Sequence, residues 1–452
     1  MSVSDPSSIR TALLSPEWNR RVWMLAGPII LSNITVPLIG VVDTAVVGHL
    51  PEPHHIGAVA VGALVFSYLF WSFGFLRMGT TGLAAQAAGA GDLDEVRSTL
   101  ARALLLAGAL GLAAILLQRP ILDLALWAIG ASADVSAGAA DYFLIRIWSA
   151  PAALAKFALI GWFLALQKAK VTLLIQLAMN LVNLVLDLLF VLGWGWGVEG
   201  VAAASVIAEY AGLVIGLLFA RRLLADMGGR FQQARILDAA RLRRMIVVNR
   251  DIFIRTLCLL GVFGYFTAKG ASMGDITLAA NAIMLQFQSL MAYALDGFAH
   301  AAQVLVGRAV GQRDRKVLRA AVGVSFLWAL IFALVFTVAW WLGGPLLIRL
   351  LTGIEDVRLA AYALLPWAIA APLISVWGYT YDGIFLGATR TVEARNAMIL
   401  CLAFSVALGE VLIPIWGNTG LWSAFMAFMV ARGISLALYY PRLARALERG
   451  ES

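Results

Sequence analysis

Twelve long apolar segments constrain this chain more than any other feature. They cover residues 22–49, 56–88, 100–117, 137–166, 171–192, 197–223, 245–268, 276–306, 317–342, 357–386, 394–415 and 421–440. A helix crossing the roughly 30 Å hydrocarbon core of a bilayer needs about 20 apolar residues. In lipid, every backbone N–H and C=O must be satisfied within the protein, which leaves helices or a closed barrel. Barrel strands alternate over about ten residues, whereas these runs are longer and unbroken. The expected fold is an all-α membrane protein with twelve transmembrane helices. The chain is 62% hydrophobic and 13% charged, about half the charged fraction of a soluble protein, which excludes soluble, disordered and disulfide-rich classes. Its two cysteines, Cys258 and Cys401, lie inside apolar runs without metal-ligand spacing and read as small hydrophobes.

The net charge of +8 points to topology rather than to nucleic acid. Lysine and arginine gather in the N-terminus, the even-numbered loops and the C-terminus. The odd-numbered loops and their edges hold only Arg119, Lys269, Arg349 and Arg358. By the positive-inside rule both termini are expected in the cytoplasm. Residues 1–21 are polar and the first apolar run is too long for a signal h-region, so no cleavable signal peptide is expected.

An internal repeat organises the chain. Ala87-x-Gly89-x-x-Asp92 with Arg97 returns as Ala309-x-Gly311-x-x-Asp314 with Arg319, and Ala150-Pro151 returns as Ala371-Pro372. Gly161-x-Phe163-Leu164 returns as Gly383-x-Phe385-Leu386, and Gly197-x-x-Gly200 as Gly417-x-x-Gly420. Six helices per half is an even number, so the halves share one orientation, as in parallel-repeat transporters. The expected domains are a cytoplasmic N-terminus (1–21), a first lobe (22–223), a basic cytoplasmic linker (224–244), a second lobe (245–440) and a cytoplasmic tail (441–452).

Enzyme and nucleotide motifs are scarce. There is no GxxxxGK[ST], HExxH or CxxC. Gly270-x-Ser272-x-Gly274 fits GxSxG, which has meaning only at a strand-to-helix turn. Asp296 and His300, the tempting partners, lie roughly 30 Å further along the next helix.

Ionisable groups inside a span are costly and mark functional positions by default. Asp43, Asp187 and Ser205 all fall roughly 10 Å below the outer surface on helices 1, 5 and 6. Asn180, Asn183 and Asp187 share one helix face, as do Ser205 and Glu209. Two carboxylates in a low-dielectric pocket cannot both stay ionised cheaply, so Asp43 and Asp187 could carry a proton. The same oxygens could instead hold sodium, or form a polar knot that only fixes packing. Pro28 and Pro37 can kink helix 1. In the second half, Arg255, Asp296, His300, Asp382 and Glu410 are intramembrane. Glu410 corresponds within one residue to Asp187, while Asp382 lies near the cytoplasmic end as a solvated or paired group. His49, His54 and His55 read as solvated residues in or beside the first outer loop. Gly212-xxx-Gly216 and Gly383-xxx-Gly387 read as close helix contacts.

These residues resemble the multidrug and toxic compound extrusion (MATE) family, its DinF-like branch in particular. Pro28 and the stretch Asn33-Ile-Thr-Val-Pro37-Leu-Ile-Gly-Val-Val-Asp43 carry the resemblance. So do Gln86-Ala-Ala-Gly-Ala-Gly-Asp92, Gly307-Arg-Ala-Val-Gly311 and Tyr381-Asp382-Gly383. The resemblance covers nearly the whole chain. It implies two six-helix lobes, alternating access, and export of amphipathic, often cationic drugs driven by protons or sodium. The coupling network it implies maps to Asp43, Asn183, Asp187 and Ser205, with Tyr142 nearby; some relatives carry threonine where this chain has Ser205. On this resemblance the chain is expected to be a proton-coupled multidrug antiporter of a bacterial-type cytoplasmic membrane, working as a monomer among lipids without a cofactor. Rival readings are a sodium-coupled antiporter, a flippase for lipid-linked substrates, and a membrane-embedded hydrolase using Ser272.

Overall fold

The computed structural model describes residues 9–47, 53–130 and 132–449, with side chains described in 10–35, 57–130 and 132–445. Among these residues the regular structure is helical. In order the α-helices are α1 (Ile9–Leu14), α2 (Pro16–Val47), α3 (Pro53–Ser72), α4 (Phe75–Gly89), α5 (Leu93–Leu116) and α6 (Gln118–Ile129). There follow α7 (Ala133–Arg146), α8 (Ala150–Ala165), α9 (Ala169–Asp187), α10 (Gly197–Asp226) and α11 (Gln233–Ile236). The rest are α12 (Ala239–Ser272), α13 (Asp275–Gln312), α14 (Arg315–Leu351), α15 (Glu355–Gly387), α16 (Thr391–Trp416) and α17 (Asn418–Arg449). Within the described residues each of the twelve apolar segments falls mainly on these helices. Among the described residues ten spans, several combining consecutive helices, are long and apolar enough to cross a membrane; α2 and α12 account for the other two segments. The N-terminal half of α12 carries Arg250, Asp251 and Arg255, which lowers its hydropathy.

Two segments are interrupted. The segment 56–88 breaks between α3 and α4. The segment 137–166 passes through a 3₁₀ turn at Ile147–Ser149 just before Pro151, a residue that cannot donate to a preceding turn. Its counterpart Pro372 sits inside an unbroken α15. Helix α6 adds an element that apolar length did not anticipate. Leu124 and Trp127 on it are exposed, and Gly130 ends it in the left-handed conformation that costs glycine little.

The repeat is visible turn by turn. Asp92 caps α5 by accepting from the Glu95 amide, and Asp314 caps α14 by accepting from the Lys316 and Val317 amides. The residue before each cap has positive φ, Gly91 at 72° and Arg313 at 54°. Each cap amide donates to the carbonyl five residues back, Asp92 to Ala87 and Asp314 to Ala309, both at 3.1 Å. A Cβ on Gly161 would overlap the Arg77 carbonyl oxygen, and one on Gly383 the Ala299 carbonyl oxygen. Both glycines permit close helix contact, and Gly387 does the same against Gln303.

Contacts divide the chain into two units, 31–246 and 1–30 with 247–452. Helix α2 therefore passes from one unit to the other between Ile30 and Leu31, a short step after Pro28. In the first of these units Phe66, Tyr142, Phe143, Val201 and Ala202 share one core and Trp162, Phe163, Leu159 and Ile175 another. In the second, Phe266, Met284, Phe287, Trp422 and Phe425 form the core around Cys258 and Cys401, both free thiols. The basic linker is clasped to the α4–α5 turn. Arg97 donates to the carbonyls of Leu224, Met227 and Gly228. Arg235 bridges Asp92 at 2.8 Å, and Arg241 and Arg102 pair with Glu95. Burial raises the Asp92 carboxyl, but the Glu95 amide and the Arg235 guanidinium outweigh it and hold it below its ordinary 3.8. The pairing holds Arg235 above its usual value.

Candidate functional site

Helix α9 lays amides and an acid along one face because Gln176, Asn180, Asn183 and Asp187 recur every three to four residues. Gln176 donates to Asn180 at 2.8 Å, and Asn180 donates to the Thr35 carbonyl of α2 at 3.5 Å. Asn183 donates to the Ser205 hydroxyl of α10 at 3.5 Å. Asp187 has no exposed surface, and Asn183 and Ser205 are each 4% exposed. The α-helix ends at Asp187 and continues as a π-helical turn, Leu188–Gly193. Such turns are rare and frequent at functional sites. Tyr142 on α7 is buried in the core that contains Val191, Val201 and Ala202, close in sequence to Asp187 and Ser205. The structure thus joins Asn183 to Ser205 across α9 and α10, keeps Asn180 and Asp187 on the same α9 face, and brings α2 to that face at Thr35. Pro28 lies within α2, half-buried. The side chains of Asp43, Pro37, His54 and His55, and His49 altogether, lie outside the described residues.

The second half is arranged differently. Asp382 on α15 is clamped by Arg255 of α12 and Arg432 of α17, all nearly buried. The Arg432 guanidinium lies 4.9 Å from the Tyr379 ring centroid, a cation–π distance. Asp382 is therefore paired and not solvated. Asp296 is half-buried on α13, and His300 faces Gln303 at 3.3 Å. Glu410, aligned with Asp187 by sequence, is exposed; it accepts from Tyr265 at 2.9 Å and pairs with Lys269 at 2.8 Å. Burial separates these two aligned acids.

Ser272 ends α12 with its hydroxyl donating to the Lys269 carbonyl at 2.7 Å. No strand-to-helix elbow is present there, which removes the geometric basis for a hydrolase. Among the described residues, no group of three or more His, Cys, Asp or Glu could hold a metal ion.

Sequence reasoning missed three buried cations inside the apolar segments. Arg102, paired with Glu95, and Arg432 are two of them. The other is Lys156 on α8, 4% exposed and 2.6 Å from Glu209 of α10, with its ammonium also 2.9 Å from the Met179 sulfur. Lysine inside the apolar run 137–166 was the available signal. Its partner lies two helices away, beyond the reach of any periodicity.

Comparisons with known proteins agree with this geometry. The MatE family model matches residues 28–189 and 253–411. DNA damage-inducible protein F of Escherichia coli strain K12 is 43% identical over 94% of this chain and 92% of its own length. A probable multidrug resistance protein NorM of Bradyrhizobium diazoefficiens is 30% identical over 94% of this chain and 93% of its own. A crystal structure of a MATE in the bent conformation superposes with a TM-score of 0.86 at 19% identity, covering 99% of both chains. One in the straight conformation superposes with a TM-score of 0.83 at 18% identity, covering 99% of this chain and all of the other.

Proposed function

This chain belongs to the MATE family of multi-pass multidrug efflux transporters, and from that premise we propose that it is a proton-coupled antiporter of amphipathic, often cationic organic compounds. Members of the family bind small molecules and need no cofactor; they are transporters, not enzymes. The observation that supports proton coupling is Asp187. This carboxylate is fully buried beside the Asn183–Ser205 contact, in a helix of apolar surroundings, at the point where α geometry gives way to π. A carboxyl group held inside a low-dielectric bundle can exchange its charge for a proton.

In the proposed cycle, substrate binds from the cytoplasm. Outward exposure then lets Asp43 and Asp187 take up a proton. Neutralisation rearranges the face formed by Asn180, Asn183, Ser205 and Tyr142, and helix 1 bends in the region of Pro28 and Pro37. Asn180 lies against the α2 backbone at Thr35, which gives the α9 face a mechanical connection to that helix. A proton crossing 100 mV supplies about 2.3 kcal/mol. In this reading the protein works as a monomer in a bacterial-type cytoplasmic membrane, with both termini in the cytoplasm.

The test is efflux of a fluorescent organic cation from proteoliposomes, with proton and sodium gradients imposed separately. Wild type is expected to respond to the proton gradient, and Asp43→Asn and Asp187→Asn to lose that response. Sodium-driven efflux at fixed pH, or variants that keep pH-driven efflux, would overturn the proposal.

A further inference from the structure

The buried Lys156–Glu209 pair lies on the same face of α10 as Ser205, one helical turn deeper, because residues four apart stack along a helix. Ser205 lies eight residues and Glu209 twelve residues after Gly197, where α10 begins. At 1.5 Å per residue, Glu209 is about 18 Å from that end, near the middle of a bilayer core about 30 Å thick. Glu209 is 8% exposed. Its carboxylate meets the Lys156 ammonium at 2.6 Å, and the Met179 sulfur of α9 takes that ammonium at 2.9 Å. The lysine stem runs beside Gly212, where a Cβ would stand 3.4 Å from the Lys156 Cδ and 3.5 Å from the Met179 sulfur, in ordinary contact with both.

Two charges at that depth are costly unless each balances the other. Oxygen donors run along this face from Asp187 through Asn183 and Ser205 to Glu209. Carboxylate, amide and hydroxyl oxygens suit a hard monovalent cation. The cation actually present at the deep end is covalently attached.

We propose that Lys156 is a tethered cation: its ammonium occupies, on Glu209, a monovalent-cation position that would otherwise take sodium. Lys156 is thus a specificity-determining residue that keeps the deep end of the α9–α10 face closed to sodium. The inference rests on reading that face as the ion pathway, but its test needs no gradient and no transport.

The experiment measures the thermal unfolding midpoint of purified protein at alkaline pH, in sodium and in choline at equal ionic strength. Wild type and Lys156→Arg are expected to show no sodium-specific shift. Lys156→Met and Lys156→Gln are expected to gain a saturable upward shift with sodium. The double variant Lys156→Met, Glu209→Gln, which has neither charge, is expected to lose it again. A single variant recovered in sodium but not in choline also supports the proposal. It is overturned if neither single variant shows a sodium shift, if the shift persists in the double variant, or if both single variants are lost in either salt. Sodium-driven efflux by wild type would sink the proton reading above while leaving this measurement to decide Lys156 separately.

Discussion

The two halves carry the same capped turns, yet Asp187 and Asp382, one buried acid from each, have different surroundings. In the first half, Asp187 sits by a face of amides and a hydroxyl. In the second, Asp382 is held between Arg255 and Arg432. Neutralising Asp382 strands two guanidinium groups in an apolar bundle. The second half thus fixes Asp382 with a clamp that crosses three helices. The repeat keeps the capped turns and the close glycine contacts, and the side chains opposite each acid decide what the acid can do.

The largest expected effect tests the clamp. Asp382→Asn, Arg255→Met and Arg432→Met should each destabilise by about 3–5 kcal/mol, the cost of breaking a buried pair, and should lower the unfolding midpoint sharply. Asp187→Asn should instead leave the fold intact while abolishing pH-driven efflux. If Asp382→Asn unfolded no more readily than Asp187→Asn, the contrast between the halves would be wrong.

The equivalence of the halves is tested next. Gly161→Ala and Gly383→Ala place a methyl group against the Arg77 and Ala299 carbonyls, and each should cost about 1–3 kcal/mol by overpacking. Thermal unfolding of the two variants should agree, and a large difference would show that the repeated contact bears unequal strain. Glu410→Gln removes an exposed pair with Lys269, worth about 0–1 kcal/mol. Transport by this variant should match wild type, and loss of coupling would restore Glu410 to the functional set.

The smallest effect concerns the linker clasp. Asp92 has a folded-state pKa below its ordinary 3.8. Its contribution is therefore present above that ordinary value and fades as pH falls through the lower folded value. Limited proteolysis of the linker should accelerate only under strong acid, and Arg235→Gln should abolish this pH dependence. Acceleration already near neutral pH would show that another group holds the linker.

The helices were legible because hydrocarbon thickness imposes a length that composition cannot hide. The repeat was legible because caps and tight turns demand particular residues at fixed spacing, as at Asp92 and Asp314. The α9 face was legible from its three- and four-residue spacing. Periodicity could not show that the aligned acids Asp187 and Glu410 differ in burial, because alignment of helices does not fix which side meets a neighbour. Nor could it show the π turn after Asp187, which changes the backbone pattern within an otherwise continuous apolar run.

Sequence by itself determined the membrane class, the twelve segments, the duplication and the acids worth watching. Each of these follows from local chemistry or from the solvent the chain must cross. Tertiary structure alone decided the partners: Arg432 lies 50 residues from Asp382, and Lys156 reaches Glu209 from a different helix. Compensation of a buried charge depends on distance in space, which helix packing sets and chain order does not.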